Sequence, residues 1–335
     1  MEYILNETPI RTSNNFKINN IKLELNISET NFNKYKIKGT TYTEIISENY
    51  NSKIGLESKK YNDITIDVND ILDDTIYINY DFSEKNNFLA SKLNINLRDN
   101  SKSNIIIKYK SESSSVNNSS VVINAGKNSI CNISILNLLS DDSKSFIAIE
   151  NLQDDNSNIN INFIDIGGDI RVSNYYSRLN GHDSLNNFNN IYVGNTNDRI
   201  DMNYYVANIN KNTNGNMQIY GVLNDNAHKT FKGTIDFIEG CVNSIGCENE
   251  DVILLSDKCK SKSLPMLLCH EENVSGAHGV STGTIDEDKL FYIMSKGISY
   301  EEEKKLIIYA SFNKILNILD DKLKNEITNK INNKI

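Results

Sequence analysis

Only two prolines and no tryptophan occur among the 335 residues, both unusually few for a globular chain. No stretch approaches the about 18 consecutive apolar residues that read as a transmembrane helix. The start, Met1-Glu2-Tyr3-Ile4-Leu5-Asn6-Glu7, lacks a basic segment followed by a long apolar run. A cytoplasmic chain that does not enter a membrane is therefore expected. Excess positive charge is missing too: 35 Lys and Arg face 44 Asp and Glu, a net charge of −9. An acidic surface disfavours nucleic acid and anionic lipid as partners. There is no Gly-x-x-x-x-Gly-Lys-Ser/Thr loop, so ATP hydrolysis would have to come from another protein. His-Glu-x-x-His and Cys-x-x-Cys motifs are also lacking.

The chain does have a monotonous series of short β-type runs. Asn, Ile, Lys and Ser abound throughout, a bias attributed here to the source genome. Ile64-Thr65-Ile66-Asp67-Val68 and Ile76-Tyr77-Ile78-Asn79-Tyr80 are early examples. From about residue 95 the runs follow one another closely, as in Ile105-Ile106-Ile107, Val121-Val122-Ile123 and Asn158 to Ile166. In the last of these, Ile159, Ile161 and Phe163 alternate with Asn158, Asn160 and Asn162, so one face enters a core and the other stays outside. No helical segment of about 10–15 residues intervenes, which argues against βαβ units. Asn-Gly and Asp-Gly pairs are scarce for so many strands, favouring coils stacked in one direction over hairpins. A mainly β solenoid is expected, with asparagine side chains laddering from rung to rung.

The pattern changes near Asp286. Asp286 can cap a helix ending at Gly297. Ser299 and Glu302 form a capping box for a second helix, whose stripe of Ile308, Phe312, Ile315, Leu319, Leu323 and Ile327 suits docking on the chain's own body. The expected division is an N-terminal flanking region at 1–94, a coil core at 95–285 and a helical region at 286–335.

Four of the five cysteines, Cys241, Cys247, Cys259 and Cys269, crowd into one region, and in a reducing compartment they stay free thiols. Cys131 stands apart and is read as structural. If one rung takes roughly 20 residues, Cys247 and Cys269 would stack on adjacent coils.

The most specific stretch is Cys269 to Tyr292. His278, Gly279, Ser281, Asp286 to Tyr292 and Lys296-Gly297-Ile298 follow, in order, the closing segment of the SufB/SufD family of iron–sulfur cluster assembly proteins, which this chain resembles. Gly221 to Ala227, Phe231-Lys232-Gly233-Thr234-Ile235, Leu254-Leu255-Ser256-Asp257 and Leu264-Pro265 match earlier steps of that pattern. The resemblance is strongest over residues 180–315. It implies a right-handed parallel β-helix and an ABC-type ATPase, SufC, bound at the helical end. It also implies a homodimer, or a heterodimer with a SufB/SufD paralogue, at whose interface an iron–sulfur cluster is transiently held, with a cysteine desulfurase as a possible sulfur donor. The histidine matching His278 is a cluster-site candidate in that family.

Where the SufB branch has a reactive cysteine this chain has Glu250, and Gly279 follows His278 where SufB tends to have Glu. Both departures look like SufD. The expected site residues are His278, Glu250 and Cys247, with His278, Cys247, Cys259 and Cys269 as possible metal ligands, since iron–sulfur sites favour thiolates and admit imidazole or carboxylate. The expectation is thus a scaffold and not an enzyme. A rival is a β-helix enzyme acting on acidic polysaccharide.

Overall fold

The computed structural model describes residues 2–8, 18–24, 36–38, 42–47, 61–285 and 297–335. Its body is a parallel β-solenoid of about eight turns with two strands per turn. One sheet holds β3 (Lys36–Lys38), β6 (Ile76–Asp81), β8 (Lys102–Lys110), β10 (Ile130–Leu138), β12 (Asn158–Asp165), β14 (Leu185–Gly194), β16 (Asn214–Leu223), β18 (Ile245–Leu254) and β20 (Ser275–Thr284). The facing sheet holds β4 (Tyr42–Ser47), β5 (Tyr61–Val68), β7 (Phe88–Leu97), β9 (Val116–Ala125), β11 (Lys144–Gln153), β13 (Ile170–Leu179), β15 (Arg199–Asn208), β17 (His228–Phe237) and β19 (Lys260–Cys269). A separate antiparallel pair, β1 (Glu2–Leu5) and β2 (Ile21–Glu24), packs Leu5 and Leu23 against Phe146 and Val172 on the outside of the second sheet.

Strict alternation produces this architecture. Ile105, Ile133 and Ile161 are register partners on successive rungs and are all buried in one continuous core. The partners lie 26 to 32 residues apart, not the roughly 20 expected, because each turn carries two long strands. Residues 61–94, expected to flank the coil, supply its first rungs: β5 pairs in parallel with β7, and β6 with β8. Their Ile64, Ile66, Ile76 and Ile78 alternate as the later strands do.

The asparagines have positions to fill, so their abundance is more than a compositional bias. On the outer face of the first sheet Asn104, Asn132, Asn160, Asn187 and Asn216 form a ladder, in which each Nδ2 after Asn104 donates to the Oδ1 one rung before at 2.8 to 3.1 Å. A second series turns the corner. Asn100, Asn128, Asn156, Asp183, Asn212 and Asn243 all have positive φ, which these short polar side chains tolerate better than most.

Two helices close the chain. α1 (Tyr300–Leu316) starts at the expected capping box of Ser299 and Glu302. The long second helix expected from the apolar stripe is in fact two. The chain leaves α1 at Asn317, and Asp320 caps α2 (Asp321–Asn332) by accepting from the Leu323 N–H at 2.8 Å. The stripe survives the break, with Leu319 packed in the corner. All six of its residues bury against Leu136, Ile164, Ile191 and neighbours on the outside of the first sheet. Lys334 fastens the end by pairing with Asp198 at 3.2 Å, which also binds Arg171 at 3.1 Å. The helix expected from Asp286 lies outside the described residues.

Candidate functional site

β19 and β20 form the last rung. β20 pairs with β18 on one edge, and among the described residues no strand pairs with its other edge. Its side chains are exposed almost throughout. In-register pairing sets their direction. Gly246, Glu248, Glu250 and Val252 are the buried positions of β18, facing the solenoid interior, whereas Cys247, Asn249 and Asp251 face outward. His278 is the register partner of Glu248 and Val280 that of Glu250. His278 therefore stands on an interior column that ends in the open, exposed and without a side-chain partner among the described residues.

Immediately beneath it the interior is polar. Lys229 Nζ lies 2.6 Å from Glu250 Oε1, and both side chains are fully buried. Glu250 also accepts from the Tyr192 hydroxyl at 3.0 Å and the Ser263 hydroxyl at 2.6 Å. Lys229 donates to Ser263 Oγ at 2.9 Å. Burial pulls the Lys229 ammonium below its ordinary value, opposed by Glu250. Glu248 is buried without a hydrogen-bond partner for either carboxylate oxygen. Burial, with the Glu250 charge added, pushes its pKa up to about 8, so at neutral pH it is held mostly protonated. Glycines make the room: a Cβ on Gly233 would overlap the Glu248 carboxylate, and one on Gly221 the Tyr192 ring.

The expected site residues are only partly brought together. Glu250 and His278 share the interior of the last two rungs of one sheet. Cys247 is on the opposite face of that sheet, its Sγ accepting from Asn249 Nδ2 at 3.2 Å, beside Asn216 and α1. Cys259 sits in the turn before β19, near Asp225 O at 3.6 Å, and burial raises its thiol pKa. Cys269 is exposed at the end of β19 as the register partner of Phe237. Cys247 and Cys269 do not stack, because they belong to different sheets. Cys131 is buried beside Ser103 at 3.2 Å, and desolvation pushes its thiol up to about 12. Among the described residues no group of three His, Cys, Asp or Glu side chains converges as a metal site. The described residues of one chain thus do not by themselves bring together the ligand set an iron–sulfur cluster would need.

Lys229, Tyr192, Ser263 and Glu248 were not among the expected site residues. The signal was present as alternation: Lys229 precedes Phe231, Gly233 and Ile235 at a spacing of two, which puts it on the apolar face. Glu248 and Glu250 likewise share the parity of Val252 and Leu254.

The sequence profile described as "SUF system FeS cluster assembly, SufBD core domain" matches residues 80–311. The chain belongs to the SufBD family. It is 30% identical to the Bacillus subtilis iron–sulfur cluster assembly protein SufD over 149 residues, 44% of this chain and 34% of that protein. Against Escherichia coli SufD it is 24% identical over 172 residues, 51% of this chain and 40% of that protein. With Bacillus subtilis SufB it shares 28% identity over 100 residues, 29% of this chain and 21% of that protein. The matches therefore cover well under half the length of these relatives. The SufBD match takes in every rung from β8 to β20, and with them the Lys229–Glu250 pair and His278. No helix among the described residues is long and apolar enough to cross a membrane.

Proposed function

We propose that this SufD-like chain is a scaffold subunit of a SUF-type iron–sulfur cluster assembly complex, working in the cytoplasm and catalysing no reaction alone. The last rung meets a second β-helix, either another copy or a SufB/SufD paralogue, and the cluster, as cargo, is assembled or passed on between them. The observation that carries this reading is the exposed β20 edge with His278 on it, beside a strand ending in Cys269. Such an edge offers backbone donors and acceptors to a partner strand. Because the described residues of one chain hold no convergent ligand set, His278 and Cys269 would contribute part of a site that the partner completes.

The helical end is the place for a SufC-type ATPase. The apolar stripe is spent on the solenoid, yet Tyr300, Leu306 and Ile318 remain 48%, 54% and 58% exposed, an apolar surface left over for a partner. A cysteine desulfurase would supply the sulfur. Membership of the SufBD family favours this reading over the carbohydrate-active alternative.

Anaerobic reconstitution with iron and sulfide, with and without a SufB-type paralogue and the ATPase, tests it. A visible-range cluster absorption that needs a pairing partner and falls on His278→Ala is expected. No absorption under any pairing, or full absorption in the variant, would sink the scaffold role.

A further inference from the structure

A second polar feature lies on the other sheet, on its outer face. Arg199, His228 and Lys260 are register partners at the starts of β15, β17 and β19, so they stack as a line of bases up the solenoid. Rungs repeat at about 4.8 Å, which spreads the three over about 10 Å. On the next outward column Lys262 follows Thr230 and Asp201. The β1–β2 pair stands beside these columns as a wall and contributes Lys22. Between wall and sheet is a cleft of about 650 Å³, within the range of small-molecule sites.

The wall is fixed. Asn6 Nδ2 donates to Asp201 Oδ1 at 2.7 Å, and Lys232 Nζ donates to the Asn6 carbonyl at 3.1 Å and to Asp201 Oδ1 at 2.7 Å. Asp201 is also the one carboxylate lining the cleft among the described residues, and Lys232 already balances its charge. Arg199, His228 and Lys260 make no ion pair or side-chain hydrogen bond among the described residues. Burial, then the charges of Lys260, Arg199 and Lys262, hold the His228 imidazole below its ordinary value, so cations dominate the surroundings of this column. This happens on a chain whose net charge is −9, where aligned bases are not explained by bulk composition.

We propose that this cleft binds a small molecule carrying a diphosphate group. The shape of the charge selects the class. A single phosphate reaches two neighbouring rungs, whereas a diphosphate lying along the column reaches all three bases. The Arg199 guanidinium supplies a planar fork for phosphate oxygens and Lys260 a point charge. An acidic peptide would spread its carboxylates along a strand and would gain little from bases lined up across three rungs.

Isothermal titration of the full chain with inorganic pyrophosphate, ADP and orthophosphate is the test. Pyrophosphate should bind more tightly than orthophosphate. Arg199→Gln and Lys260→Gln should each weaken it about tenfold, the loss of one charge-assisted contact. Lys144→Gln, which changes net charge equally but lies outside the cleft on β11, should leave binding unchanged. Circular dichroism checks that the variants fold. ADP binding as well as pyrophosphate supports an organic diphosphate as the source, and pyrophosphate binding alone supports the free inorganic ion. No pyrophosphate binding, an equal loss in Lys144→Gln, or tighter binding of a poly-glutamate peptide in the same cleft would overturn the proposal.

Discussion

The interior column that begins at Ile76 runs through Ile105, Ile133 and Ile161 in the early rungs and through Met217, Glu248 and His278 in the late ones. Its neighbour begins Ile78, Ile107, Ile135 and ends Ile219, Glu250, Val280. The backbone is the same at both ends, and the difference lies in what fills it. In the early rungs, burying each isoleucine stabilises the fold by about 1.5–3 kcal/mol. In the late rungs Glu248 and Glu250 take those places, with Lys229 reaching Glu250 from the facing sheet, and dehydrating the Lys229–Glu250 ion pair costs several kcal/mol per ion before pairing returns some of it. Packing alone would have filled β18 with aliphatic side chains. Its polar interior, directly below the exposed His278, is a departure that packing alone does not require.

The sharpest way to break the comparison is to remove one half of the late pair. Lys229→Ala leaves Glu250 buried beside no cation and should cost about 3–5 kcal/mol in urea unfolding. Changing both partners, Lys229→Met with Glu250→Leu, should recover most of that loss, since apolar groups of similar volume replace a dehydrated pair. Ile133→Ala, in the early rungs, should cost about 2–5 kcal/mol through a cavity instead. If the double change is as unstable as the single one, the late interior is held by something other than the ion pair.

A smaller effect separates the ends by pH. Burial holds the Glu248 carboxyl at a folded-state pKa of about 8, above the ordinary 4.5. As pH rises the unfolded chain gives up this proton first, so the contribution is full below about 4.5 and is lost by about 8. Replacing the group by Glu248→Gln removes the slope. Relative to wild type the variant should gain on the order of 3 kcal/mol between about pH 5 and pH 8, read from urea midpoints at each pH. Curves that stay parallel would mean that Glu248 is ionised or solvated in the folded chain.

Much of the early end was legible in the sequence, because a strict period of two in Ile159, Ile161 and Phe163 leaves only one way to bury a strand. The late end was less so. Cys247 and Glu250 are three residues apart and both are expected site residues, yet their opposite parity sends one outside and the other inside. Rung length decided another point. With about 28 residues and two strands per turn, residues about 22 apart such as Cys247 and Cys269 fall on different sheets. Strand order and turn length are tertiary facts, and local alternation does not carry them. The break between α1 and α2 was hidden for a related reason: Leu319 keeps the apolar spacing through a corner where Asp320 recaps the chain.

The outer face changes chemistry at the same rung as the interior. The asparagine ladder that starts at Asn104 stops at Asn216, whose next register partner is Cys247. Asn160, within the ladder, donates to Asn132 at 3.1 Å and accepts from Asn187 at 2.8 Å, whereas Asn104 accepts at one end alone. Each bond is partly open to water and contributes about 0.5–1.5 kcal/mol net. Asn160→Ala should therefore cost about 1 kcal/mol, and Asn104→Ala about half as much, in chemical denaturation. Equal costs would mean that each amide acts through its own strand and not through its neighbours. Extending the ladder by Cys247→Asn should then gain a few tenths of a kcal/mol. A cysteine at a place where asparagine would stabilise the coil is, like Glu248 on the other face, a departure that packing alone does not require.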